Sequence, residues 1–292
     1  MMIETITCAD GQILQLTRHE PPQGITPKAV VQINPATAVA ERMYHAFAAT
    51  LASQGFRVIT YNYRGVGLSG SETKHIDAGF TTWADYDVEA VTQWVSDTSP
   101  DIPHFAIGHS FGGHAIGLCS SSRLLHAAVM ISSHAGCLHF IRPAGERLRV
   151  AFILKVIGPL SSLLCGYFPG RRFRVGENMP GRVMREWSHW TSLPQYFFDD
   201  PALVAEHRFA RPRFPVLSLG FTDDPWAPAE AIALVANKLA NCSVELRQYG
   251  PEHSHGQSIG HMGFFREKHA STLWPDITDW LLKQVNDNNG YT

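Results

Sequence analysis

The sequence predicts an α/β fold: a mostly parallel central sheet flanked by helices on both faces, with a helical segment inserted late in the sheet. Three observations predict it. Short apolar runs of strand length alternate with amphipathic stretches of helix length, which implies parallel strands joined by covering helices. One such run, residues 104–107, leads straight into Gly108-His109-Ser110-Phe111-Gly112, a G-x-S-x-G sequence suited to a sharp strand-to-helix bend. The alternation then stops over residues 133–212 and resumes afterwards. A chain of 292 residues with 45% hydrophobic content can bury one large core plus such an insertion.

The elements follow in order. Residues 3–7 and 13–18 flank Asp10-Gly11, whose D-G pair suits a tight hairpin turn. Residues 29–33 read as a buried strand, 42–53 as a helix ending at Gly55, and 57–61 as the next strand. In residues 83–97, Val88, Val91, Trp94 and Val95 recur at helical spacing. The strand into the bend follows, then a small, apolar helix from Phe111 and a strand over residues 127–132. Beyond the insertion come strand 215–219, helix 227–239, strand 243–249 and a carboxy-terminal helix around residues 277–285. The expected partition is a core of residues 1–132 and 213–292, with residues 133–212 as a lid.

The bend restricts its residue types. A side chain at Gly108 or Gly112 would crowd the neighbouring strand or the start of the helix, so the bend demands small residues, and the serine between them is held with its hydroxyl exposed. A serine hydroxyl is a poor nucleophile at neutral pH. It needs a histidine to take its proton and an acid to orient the imidazole and stabilise its charged form.

With these residues in view, the chain resembles the α/β-hydrolases over nearly its whole length apart from the insertion. It is most similar to lid-bearing bacterial hydrolases of the serine aminopeptidase and monoacylglycerol lipase group. Besides the bend, the match rests on Tyr63-Arg64-Gly65-Val66-Gly67-Leu68-Ser69, Asp223-Asp224-Pro225-Trp226-Ala227-Pro228 and Gly260-His261-Met262-Gly263-Phe264-Phe265. The resemblance implies a Ser, Asp, His order of catalytic residues, each just past a strand. It assigns Ser110 as nucleophile and His261 as base, with His253 and His255 as rivals in the same loop. Asp224 is the expected acid because proline stands four residues on; Asp223 is the alternative, and whichever is not the acid is expected to cap the turn through backbone N–H groups. Oxyanion donors are expected at the backbone N–H of Phe111 and in the loop after strand 29–33. That loop reads Asn34-Pro35-Ala36-Thr37 where many relatives show His-Gly; counting back from Gly55 without gaps makes Thr37 the expected donor and Ala36 the alternative, and Pro35 has no N–H to give.

The expected activity is that of a serine hydrolase, with carboxylic ester hydrolysis through an acyl-enzyme on Ser110. An aminopeptidase or amidase using the same triad is the alternative and would need a lid carboxylate, Glu177, Glu186 or Glu206, to hold a substrate amine. A silent, binding-only hydrolase fold is the third reading. Ser110 stands against aspartate- or cysteine-based chemistry on this scaffold, and the mechanism calls for no cofactor or metal. Neither H-E-x-x-H nor G-x-G-x-x-G occurs.

A net charge of −2 gives no general attraction to nucleic acid, and the expected partner is a small ester substrate. Between Ala135 and Ala210, nine Arg and one Lys face six acidic residues, a local charge of +4. Arg171, Arg172 and Arg174 there either form a solvated face or attract an anionic substrate or lipid surface. Phe152, Ile153, Leu154, Ile157, Leu160, Leu163 and Leu164 either line an acyl pocket or pack against the core, and Trp187, Trp190, Tyr196, Phe197 and Phe198 carry the same two readings. Residues 150–168 approach the length of a membrane span, but Lys155 and Gly158-Pro159 read as interruptions, so no transmembrane segment is expected. Five cysteines scattered singly, with no export signal in the first ten residues, point to the cytoplasm.

Overall fold

The computed structural model describes residues 1–69, 73–173 and 175–289. Among the described residues ten strands form in chain order: β1 (Met2–Thr7), β2 (Ile13–His19), β3 (Val30–Asn34), β4 (Arg57–Tyr61), β5 (His104–His109), β6 (Ala127–Ile131), β7 (Tyr167–Phe168), β8 (Met179–Pro180), β9 (Val216–Phe221) and β10 (Val244–Tyr249). Eight of them make one sheet in the order β1-β2-β4-β3-β5-β6-β9-β10. β1 and β2 pair antiparallel as the expected hairpin and β2 meets β4 antiparallel; every pairing from β4 onward is parallel.

Strands β3, β5, β6 and β9 are buried at every residue because helices cover both faces. On one face Phe47 and Leu51 pack with Trp274, Ile277 and Leu281 of the carboxy-terminal helix Trp274–Asn289; on the other Trp83, Val88, Val91 and Val95 pack with Ile116.

Several helices depart from the expected bounds. The expected helix 42–53 is a 3₁₀ turn, Glu41–Tyr44, followed by the α-helix His45–Ser53. The helix expected from residue 83 starts at Phe80 and passes through a wider, π-type turn at Trp83–Val88 before Glu89–Thr98. The helix expected over 227–239 is shorter, Ala229–Ala236: it starts after Pro228 at its N-cap and ends at Ala236, with Asn237 as its C-cap.

Between β6 and β9 the chain leaves the sheet. It forms a continuous helix Ala144–Cys165, the small β7–β8 hairpin, the helix Gly181–Trp190 and a short helix Ala205–Phe209. The expected interruption at Gly158-Pro159 does not break the first helix. A π-type segment, Ile153–Ile157, precedes the proline, and the Gly158 N–H reaches back to the Ile153 carbonyl. This widened turn removes the clash a proline ring makes in a regular helix interior. By length and composition the helix could cross a membrane, with a mean hydropathy of 1.8 over its most apolar window.

The aromatic residues of the insertion divide. Trp190, Phe197 and Phe198 are buried in the core beside Phe209, whereas Trp187 and Tyr196 face a cavity. Of the expected arginine cluster, Arg171 and Arg172 are exposed; Arg174 lies outside the described residues.

Candidate active site

The chain turns sharply where β5 meets the helix Phe111–Leu118. Ser110 sits in that turn with φ 51° and ψ −115°, a backbone conformation L-residues rarely adopt and one that persists only where the surroundings enforce it. Its N–H donates to the Ile131 carbonyl at 2.8 Å, fastening the turn to β6. A Cβ on Gly112 would lie 2.1 Å from the Asn34 carbonyl oxygen, and one on Gly108 would lie 2.3 Å from the Gly113 nitrogen. Both obstacles are backbone. Gly112→Ala is therefore expected to cost about 3 kcal/mol of stability, the upper end of overpacking penalties, as read by urea unfolding.

Asp223 and Asp224 follow β9 and have different partners. Asp224 is buried: Oδ2 accepts the Nδ1–H of His261 at 2.7 Å, while Oδ1 accepts the N–H groups of Trp226 at 2.9 Å and Ala227 at 3.3 Å. Burial pushes its pKa up, but His261, with help from the other donors, outweighs this and holds it down at about 2. With Nδ1–H given to the carboxylate, His261 keeps Nε2 as its basic nitrogen.

Asp223 instead clamps the loop that carries His261. It accepts the Ser258 hydroxyl at 2.7 Å and the N–H groups of Ile259 and Gly260 at 2.9 Å each. His253, one sequence rival of His261, bonds the Gly250 N–H through Nδ1, and neither it nor His255 lines the cavity described below.

A second network ties this loop to the β3 loop through His109, the residue before Ser110. The Ala36 N–H donates to the Tyr44 hydroxyl at 2.8 Å, the hydroxyl donates to His109 Nδ1 at 3.0 Å, and His109 Nε2–H donates to the His261 carbonyl at 2.9 Å. The chain of donors requires a neutral His109. Burial supplies this by lowering its pKa to about 3. From the other side Asn34 is fixed by Gln32 and Tyr61, each 2.7 Å from its side-chain oxygen, and the Tyr63 hydroxyl donates to the Pro35 carbonyl at 3.0 Å.

This network bears on the oxyanion alternatives. The Ala36 N–H is committed to Tyr44, so it is not available to a ligand. The Thr37 N–H has no acceptor among the described residues, and Phe111 occupies the first helical position, where an N–H has no intrahelical acceptor.

Ser110, Phe111, Thr37 and His261 line one cavity of about 350 Å³, together with His114, His134, Tyr196 and Trp226. A smaller, mostly apolar pocket of about 40 Å³ adjoins it, sharing His134, Trp187 and Trp226 and adding Val150, Ile153 and Leu154 from the long helix of the insertion. Ile153 and Leu154 thus meet the pocket reading, while Phe152, Leu160, Leu163 and Leu164 meet neither sequence reading because they are exposed.

His114 and His134 are also neutral, their pKa values lowered to about 3 and 4 by burial, and His134 donates Nδ1–H to the Ser132 carbonyl at 2.9 Å. The cavity is therefore lined by uncharged rings beside the hydrogen-bonded couple of His261 and Asp224. None of Glu177, Glu186 or Glu206 lines it: Glu177 binds Arg42 and Arg171, Glu186 binds Arg182, and Glu206 binds Lys238. Among the described residues, no group of three or more His, Cys, Asp or Glu is placed to hold a metal ion.

Tyr44 and His134 carry no motif that marks them as cavity or network residues; His109 stands inside the G-x-S-x-G sequence, and Tyr196 is among the aromatics left open between pocket and core. Backbone geometry does mark Tyr196: it lines the cavity with Ala38 and Ser110, and all three have positive φ, at 59°, 57° and 51°. Clustered strain of this kind in non-glycine residues is characteristic of functional sites.

The fold thus brings Ser110 on the bend after β5, Asp224 after β9 and His261 before the last helix into one region. The chain belongs to the alpha/beta hydrolase family, whose model matches residues 36–263. Among solved structures it is similar to a thermostable carboxyl esterase from Bacillus coagulans in complex with glycerol, at 16% identity and a TM-score of 0.65, covering 97% of this chain and 98% of that one. It is also similar to Est1E from Butyrivibrio proteoclasticus with bound ferulic acid, at 17% identity and 0.65, covering 97% and 99%. An esterase from Pyrococcus furiosus aligns at 14% identity and 0.63, covering 97% and 90%. At these identities the likeness is one of fold. No curated protein sequence matches the chain.

Proposed function

We propose that this protein is a serine hydrolase that cleaves carboxylic esters of small or medium acyl groups through an acyl-enzyme on Ser110. The observation that carries the reading is that Ser110, on its strained bend, shares one cavity with a histidine whose Nδ1 is bound to a buried carboxylate. His261 Nε2 takes the hydroxyl proton as Ser110 attacks the ester carbonyl, and Asp224 stabilises the imidazolium that forms. The N–H groups of Phe111 and Thr37 receive the developing oxyanion. His261 then protonates the leaving alcohol, and water, activated by the same histidine, releases the acid.

The esterase activities named for the structural neighbours agree with this reading. The cavity lining speaks against the aminopeptidase alternative, because a substrate ammonium group needs a carboxylate and none of the three lid candidates lines it. Catalysis needs all three residues, and their presence favours an enzyme over a binding-only fold. Residues 133–212 act as the lid in this reading, since Trp187 lines the cavity and Val150, Ile153 and Leu154 line the pocket that adjoins it. The five unpaired cysteines favour the cytoplasm.

A panel of p-nitrophenyl esters of increasing acyl length, run beside aminoacyl anilides, tests the reading. Turnover is expected on the esters, greatest for short and medium chains, with none on the anilides. Anilide hydrolysis matching that of the esters would replace the ester reading with the amidase one.

A further inference from the structure

The long helix of the insertion, Ala144–Cys165, is built with two apolar faces. Val150, Leu154, Gly158 and Ser162 recur every four residues and are buried against the protein. Gly158 packs against the Met184 side chain of the helix Gly181–Trp190. Displaced by two positions, on the opposite side, Phe152, Val156, Leu160 and Leu164 recur at the same spacing and face solvent, with Leu148 and Leu163 beside them. Leu163 and Leu164 are 81% and 75% exposed. A soluble monomer rarely leaves so continuous an apolar stripe open to water.

The charge around the stripe selects its occupant. Arg147 lies in the helix and Arg172 in the short helix Gly170–Phe173 that follows it after β7; both are exposed, and neither has an acidic partner among the described residues. Arg171 and Arg42 share the single carboxylate of Glu177, which leaves a net positive charge there. A second copy docked on this stripe would bring like charges together, whereas an anionic lipid surface supplies both acyl chains for the leucines and phosphate for the arginines.

We propose that the protein docks reversibly on anionic membrane surfaces through the outer face of the helix Ala144–Cys165. The buried stripe runs along the helix through Ser162, so the helix lies in the plane of the interface and does not cross the bilayer. Its inner face walls the pocket beside the cavity, which sets the proposed active site just beneath the lipid boundary. This goes beyond the ester hydrolase reading and stands or falls independently of it.

The test is flotation of the full chain with vesicles of phosphatidylcholine, with and without phosphatidylglycerol, at low and high salt. Wild type is expected to float with the anionic vesicles at low salt and to be released at high salt. Leu160→Ser/Leu163→Ser/Leu164→Ser should weaken binding by more than about tenfold, since three exposed anchors are lost. Arg147→Gln/Arg172→Gln should weaken it while flattening its salt dependence. Because all five side chains are exposed, both variants should melt as wild type does and keep wild-type turnover of a water-soluble ester. Three results would overturn the proposal: wild type that stays unbound on anionic vesicles at low salt, protein that resists extraction by alkaline carbonate, or a solution dimer that the leucine variant converts to monomer.

Discussion

Ser110→Ala is expected to abolish ester turnover, with a loss on the order of 10⁶-fold in kcat, while the protein folds and melts as wild type does. The size of the effect follows from the proposed division of labour: without the hydroxyl no acyl-enzyme forms, and the residual rate comes only from binding and oxyanion donors. The fold is expected to survive because the turn is held by its backbone, through the Ser110 N–H to Ile131, and by the glycines around it. Steady-state kinetics on a p-nitrophenyl ester beside thermal melting checks both halves. A variant retaining more than a few per cent of activity would remove Ser110 from the mechanism.

The paired aspartates give the second large effect. Asp224→Asn should lower kcat by about 10⁴-fold, because an amide neither balances the imidazolium charge nor enforces the tautomer with Nε2 free. Asp223→Asn should do far less to the chemistry, since the Asp223 carboxylate holds the backbone of Ile259 and Gly260 and not the imidazole. Stability adds an independent signature. Asp224 is held at about 2, below the 3.8 of a free aspartate, so its stabilisation is fully present above the higher value and lost as pH falls through the lower. The difference corresponds to about 2 kcal/mol. Urea unfolding at pH 5 and pH 2 should show wild type losing that amount relative to Asp224→Asn. Equal acid sensitivity would mean that the ion pair with His261 is not formed in solution.

Much of the fold could be read from the chain because its inner strands are buried on both faces and so appear as unbroken apolar runs; β3, β5, β6 and β9 all do. The sharp bend was equally legible, because two backbone approaches forbid any side chain at Gly108 and Gly112. Element ends were less so. The helix through Gly158-Pro159 looked interrupted because single-residue propensities say nothing of a π-type turn that accommodates the proline.

Within the candidate site, spacing from β9 separated Asp224 from Asp223, and the structure puts Asp224 on His261 and Asp223 on the loop backbone. Spacing alone left Ala36 open as an oxyanion donor. Only the position of Tyr44, eight residues on and one helix away, shows that the Ala36 N–H is already bonded. Tyr196 stood open between a pocket and a core reading, and His134 could not be read at all, since they reach the cavity from separate parts of the insertion and depend on the backbone turns at Ser132 and Tyr196, with φ of 52° and 59°.

The central claim, that Ser110 is the nucleophile, is tested most directly by treating the wild-type protein with a fluorophosphonate and locating the adduct by mass spectrometry. One adduct per chain is predicted, on the peptide containing Gly108-His109-Ser110-Phe111-Gly112 and on the serine itself, with labelling blocked by a competing ester. An adduct on any other residue, or a folded protein that takes up none, would contradict the claim.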